Sequence, residues 1–224
     1  MKKILLFAVL AMIGCINSPD QSPIYLSAEI KEGNSWRYVY EYINVWKKII
    51  YSDISVDSVW SDTNDNLFFF VTKVDSILQE TPTDDSLVID SSIVVTPNIL
   101  CKKTGIKTIC SDDLLSRLFS DQEYVQYDNV NNVSRFDTNY SHMINIQFGE
   151  KCFRAVDIYT HTMTGLSNGV SVYMSTHTLF ADTIGIISDT YSYGGGRMIP
   201  RSTSLDLLKF NGNDFWYTTT SSSE

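Results

Sequence analysis

Gly165-Leu166-Ser167-Asn168-Gly169 has the Gly-x-Ser-x-Gly spacing that, set between a strand and a helix, presents a serine nucleophile. Its surroundings do not suit that role. Val170, Val172 and Met174 alternate with Ser171, Tyr173 and Ser175, a strand pattern where the motif requires a helix. An acid and then a histidine should follow the serine, yet no Asp or Glu lies between Ser167 and His177, the only later His. Asn168-Gly169, both tolerant of positive φ, reads instead as a hairpin turn. Asp62-Thr63-Asn64-Asp65-Asn66 spaces its oxygens like the first half of a calcium loop. Leu67 stands where the sharp turn needs Gly, and Lys73 where a bidentate Glu belongs, so a polar turn is expected. His161 and His177 flank one hairpin. A two-residue turn sets His161 opposite Thr176 and His177 opposite Thr160, on opposite faces, and a longer loop would bring the imidazoles together. His142 stands alone. Gly194-Gly195-Gly196-Arg197 lacks the Lys-Ser or Lys-Thr and the helix of a phosphate loop. No catalytic residue, metal or cofactor is expected, and the chain reads as a non-enzyme.

Two other groups of residues invite an assignment. Cys101 and Cys110 enclose eight residues, and a turn at Gly105-Ile106 would oppose them at the base of a small hairpin. They are the candidate disulfide, although the spacing also leaves other pairings with Cys152, or three free thiols, open. Trp36, Tyr38, Tyr40 and Tyr42 alternate along one strand and form the candidate ligand face. Such a ladder is core, the wall of an apolar cavity, or an exposed platform for sugars.

The elements that must position these residues follow from length and pattern. The chain has 224 residues, 43% of them hydrophobic and 12% aromatic, enough to bury one core without metal or disulfides. A net charge of −9 argues against nucleic acid as a partner and against a basic membrane-binding patch. Lys2 and Lys3 precede an uninterrupted apolar run, Ile4 to Ile13, too short to span a bilayer and suited to a signal peptide. Met12-Ile13-Gly14-Cys15 follows directly. These residues resemble the lipobox of bacterial lipoproteins, with Met12 where Leu is usual. The resemblance implies cleavage after Gly14, a diacylglycerol on Cys15 and acylation of its new amino group, hence a membrane partner through the lipid anchor. It also implies a cell-envelope location, and Ile16 in place of Asp favours the outer membrane. Residues 1–14 are then the signal peptide. Residues 15–27, with Pro19 and Pro23, are a lipidated tether.

From 28 to 217 the pattern is that of a single β-rich domain, with a polar, frayed tail over 218–224. Strand signals cover Trp36 to Val45, Ile54 to Trp60, Leu67 to Leu78, Leu87 to Val95, Ile144 to Phe148, Val170 to Met174, Ile184 to Ile187 and Ser202 to Phe210. One helix is expected over Asp112 to Phe119, capped by Ser111, with Leu114, Leu115 and Leu118 as its apolar face. The fold expected is mainly β, an antiparallel sheet with one short helix. Gly33-Asn34-Ser35-Trp36-Arg37-Tyr38 and Asp182-Thr183-Ile184-Gly185-Ile186-Ile187 resemble segments of secreted β-rich lipoproteins similar to the periplasmic lipoprotein-carrier half-barrels. That resemblance implies a curved, half-barrel-like sheet cupping a helix and an apolar cavity. The function expected is non-catalytic binding of an apolar or lipid-like ligand, or of an envelope protein. The alternative is a surface interaction or carbohydrate-binding module, which needs Trp36, Tyr38 and Tyr40 exposed.

Overall fold

Segments that alternate, such as Trp36 to Ile43, and runs rich in Val, Ile and Phe, such as Leu67 to Val71, recur along the chain, and strands result where one face can be buried. The computed structural model describes residues 24–43, 47–82, 87–124, 137–165, 171–195 and 198–220. The strands are β1 (Ile24–Leu26), β2 (Ser35–Ile43), β3 (Lys47–Ser61), β4 (Leu67–Pro82), β5 (Leu87–Thr104), β6 (Lys107–Ile109) and β7 (Gln122–Tyr124). After them come β8 (Asp137–Phe148), β9 (Lys151–Gly165), β10 (Ser171–Ala181), β11 (Gly185–Gly195), β12 (Met198–Phe210), β13 (Asn213–Asp214) and β14 (Thr218–Thr220). The one helix described, α1 (Asp113–Phe119), lies between β6 and β7. β1 and β7 pair in a small separate sheet. All other strands form one antiparallel sheet of twelve, in the order β14-β8-β9-β10-β11-β12-β2-β3-β4-β5-β6, with β13 on β12. The sheet is not closed into a barrel. It consists of two meanders, β2 to β6 and β8 to β12, joined by the β12–β2 ladder.

The core lies where α1 meets one end of the sheet. Leu115, Leu118 and Phe119 are fully buried, and Phe119 packs edge-on against Trp36 and Phe69 at centroid distances of 5.4 and 5.0 Å. Asp112, not Ser111, caps the helix. Its carboxylate accepts from the Leu115 N–H at 3.1 Å, and it also takes the ammonium of Lys73 at 2.8 Å. Burial opposes the charge on Lys73, but Asp112 and Asp75 outweigh it and raise the ammonium pKa above its ordinary value. The segment expected as a tether over 15–27 belongs to the fold from Ile24 onward, and the part before Ile24 lies outside the described residues. Ile24–Leu26 already pairs with β7, Leu26 is buried, and Thr183 is clasped by the backbone of Ser27 and Glu29.

Residues 218–220 depart from the frayed tail expected over 218–224, of which 221–224 lie outside the described residues. Asn213 and Asp214 turn back onto β12, the Phe215 N–H bonds the Leu208 carbonyl, and Thr218–Thr220 pairs with β8. The Phe215 ring meets Phe148 at 4.7 Å. This strap returns the chain from mid-sheet to the far edge of β8. Phe215, itself partly buried, packs against the core. Burial and the carboxylates of Asp157 and Asp206 raise the pKa of Tyr217, and burial and Glu41 raise that of Asp206.

Cys101 and Cys110 are bonded, with Cα atoms 4.6 Å apart. The pairs Lys102–Ile109, Lys103–Thr108 and Thr104–Lys107 bring them into opposition across Gly105-Ile106, where Gly105 takes φ +57°. The bond ties the β5–β6 hairpin directly beside α1. Cys152 is free and exposed.

Candidate functional site

β11 leaves β12 before either strand ends. Their ladder begins at Ser188–Asp206, so Ile184 to Ile187 have no β12 partner. Two side chains of β2 take over: Trp36 Nε1 donates to the Ile184 carbonyl and the Tyr38 hydroxyl to the Ile186 carbonyl, each at 2.7 Å. Both residues are essentially buried, and burial holds the Tyr38 phenol well above its ordinary pKa. Trp36 and Tyr38 are therefore not a ligand face and cannot stack on a sugar; they fill the fork between two strands. The sequence showed the alternation but not the element lying 148 residues away.

Beyond this floor the strands run past the end of α1. Register and alternation place the next side chains in rows on the helix-bearing face. The lowest row carries Val156, Phe180, Ile186, Leu207 and Tyr38. The next carries Ile158, Thr178, Asp189, Leu205, Tyr40, Ile50 and Ile77. Above it stand Thr160, Thr176, Tyr191, Thr203, Tyr42, Lys48 and Gln79. The face thus grades from mostly hydrocarbon at the floor to polar side chains at the rim, hydroxyls together with Lys48 and Gln79.

A cleft of about 380 Å³ opens in this gradient, lined by Tyr40, Arg117, Thr176, Thr178, Asp189, Tyr191 and Thr203 among others. α1 supplies one wall through Arg117, whose guanidinium meets Asp189 at 2.5 Å. Asp189 also accepts from the Thr178 hydroxyl at 2.6 Å, and Thr176 is bonded to Thr160 at 2.6 Å. The one cation and one anion lining the cleft thus neutralise each other, and hydroxyls and aromatic rings remain. Of the aromatic ladder, only Tyr40 lines this cleft, while Tyr42 is half-buried in the row above. Threonines alternating with Ser175 and His177 look like an ordinary solvated strand, so these cleft residues carry no sequence signal.

The two hairpin histidines share a face after all. β9 and β10 pair Gly165 with Ser171, so five residues connect them, and His161 lies opposite Ser175 while His177 lies opposite Tyr159. Both rings flank Tyr159, at 6.5 and 6.3 Å. His177 Nε2 meets Asp157 Oδ1 at 2.5 Å, on the face away from the cleft. Among the described residues, no group of three or more His, Cys, Asp or Glu is arranged to hold a metal. Asp62 spends its carboxylate on its own turn, accepting from the N–H groups of Asn64 and Asn66 and from the Asn66 amide. Cys15 and Ser167 lie outside the described residues, and no described helix is long and apolar enough to cross a membrane.

Comparisons of the chain with protein-family models, curated proteins and solved structures find no significant match.

Proposed function

We propose that this chain is a lipid-anchored, non-catalytic binding protein of the cell envelope, taking an amphiphile with an uncharged, hydroxyl-bearing head. The observation that carries the reading is the graded face: a row of buried hydrocarbon below, and above it a cleft walled by tyrosine rings, threonines and a self-neutralised Arg117–Asp189 pair. A buried tail gains about 25 cal/mol per Å² of apolar surface removed from water, and paired hydroxyls limit the cost of enclosing a polar head. A cupped sheet is part of this proposal. α1 touches β4 through Phe119–Phe69 and β11 through Arg117–Asp189, although four strand spacings of about 4.8 Å separate those strands. A helix with its side chains is only about 10–12 Å across, so a sheet wrapped around α1 best accounts for both contacts.

The binding half is tested with the fluorescent probe 1-N-phenylnaphthylamine. The wild-type protein should bind it saturably, and Thr203→Trp, which fills the cleft, should abolish that binding while leaving the urea midpoint close to wild type. Unchanged binding in Thr203→Trp would remove the cleft from the reading. The anchoring half rests on the Met12-Ile13-Gly14-Cys15 sequence. Intact mass of membrane-extracted protein should show residues 1–14 missing and acyl mass on Cys15, and an unmodified Cys15 behind an intact leader would sink it.

A further inference from the structure

One edge of the large sheet is chemically unusual. Among the described residues, β6 pairs with β5 only at Lys102 to Thr104, so residues 87–101 have a strand partner on one side alone. Edge strands of soluble proteins are ordinarily blunted by Lys, Pro or a bulge, because an open ladder invites another strand. Here those devices come late. Pro97 and Asn98, at φ +55°, interrupt the strand only after Thr96. Before them the edge carries Asp90 as its single charge and leaves large apolar side chains in water. Ile89 is 65% exposed, Ile93 73% and Val95 59%, all on the face away from α1.

The order of residues in this edge is self-complementary. Leu87-Val88-Ile89, Asp90-Ser91-Ser92 and Ile93-Val94-Val95 read as three apolar, three polar and three apolar residues in either direction. A two-fold axis through Ser91 pairs Leu87 with Val95, Val88 with Val94, Ile89 with Ile93 and Asp90 with Ser92, and sets Ser91 against itself. Apolar positions meet apolar ones and polar meet polar throughout. Shifting the axis to Ser92 sets Asp90 opposite Val94 and Ser91 opposite Ile93. Shifting it to Asp90 opposes two carboxylates directly. A two-fold interface must be complementary to itself, and this register is.

We propose that β5 is a dimerisation edge: a second copy of this chain adds its own β5 antiparallel to the first, centred on Ser91 of both copies. The two sheets then continue into one another, and Ile89 and Ile93 of each copy cover their counterparts. A foreign strand would have no reason to match the mirror order of residues 87–95.

The proposal is tested by single-cysteine crosslinking of the full chain in membranes of the expressing cell, with Cys152→Ser as parent to remove the exposed thiol. At the two-fold centre the Ser91 Cα atoms sit about 4.5–5.5 Å apart, within the span of a disulfide. Copper phenanthroline should therefore convert Ser91→Cys to a disulfide-linked dimer on non-reducing gels. Ser76→Cys, one strand inward from the edge, should stay monomeric like the parent. Adding Ile93→Lys to Ser91→Cys should abolish the dimer band, and its exposed position leaves folding intact. Direction is read separately: differently tagged Ile89→Cys and Ile93→Cys chains should crosslink to each other more than either does to itself. Monomeric Ser91→Cys, a crosslink to some other chain, or equal self-crosslinking of Ile89→Cys would each overturn the proposal.

Discussion

Trp36→Ala is expected to unfold the domain at markedly lower urea, with a loss of about 3–5 kcal/mol from the cavity and about 1–3 kcal/mol more from an orphaned carbonyl. The indole does two jobs at once. Its ring packs between Phe119 of α1 and Phe210 of β12, and its Nε1–H closes the backbone of Ile184. Trp36→Phe separates the two. It keeps most of the ring contact and leaves the Ile184 carbonyl without its donor, so it should cost only about 1–3 kcal/mol. Tyr38→Phe is the matching change one turn of the pleat along, at Ile186, and should cost a similar amount. Equilibrium urea denaturation reads all three, and an unchanged slope with a lowered midpoint assigns the loss to the native state. A Trp36→Ala midpoint within error of wild type would mean that the fork between β11 and β12 is held by something else.

The second large effect is expected at Gly185, where β11 starts beneath α1. Its φ is +93°, and a Cβ there would lie 2.6 Å from Leu118 Cδ1 and 3.1 Å from Ala28 Cβ. Gly185→Ala should therefore cost about 1–3 kcal/mol in backbone strain and about 1–3 kcal/mol in overpacking. The two contributions separate in a double-mutant cycle. Leu118→Ala removes the nearest clashing atom, so Gly185→Ala should be less damaging in that background, while the strain of positive φ persists. Equal costs in both backgrounds would place the whole penalty in the backbone.

How far these features were legible differs by kind. Period-two alternation marks the strand from Trp36, because one pleat face is buried whatever lies against it, and a run rich in Phe, Val and Ile marks Leu67 to Leu78. α1 is legible from Asp112, Asp113 and the leucines that follow, although its cap shifts by one residue because Asp112 also captures Lys73. The identity of the cover over each face is not legible. Nothing local says that Tyr38 reaches Ile186, or that the β9–β10 connection spans five residues and thereby reverses the facing of His177 relative to His161. A one-residue change in loop length flips a strand, and loop length between Asn-Gly-type turns is weakly encoded. The cleft is the least legible part. Of its lining, Tyr40 stands out in the sequence, while Thr176, Thr178 and Thr203 gain meaning only from the register that aligns them.

The placement of β2 beside β12 has a consequence for synthesis. Each meander is made of neighbours in the chain and needs only short loop closures, but their single seam joins residues 36–43 to 202–210. A nascent chain can assemble its first sheet early and must then hold β2 as a second open border until β12 has emerged. Closure of the sheet is thus timed by β12, and a chaperone or premature aggregation has that whole interval in which to act.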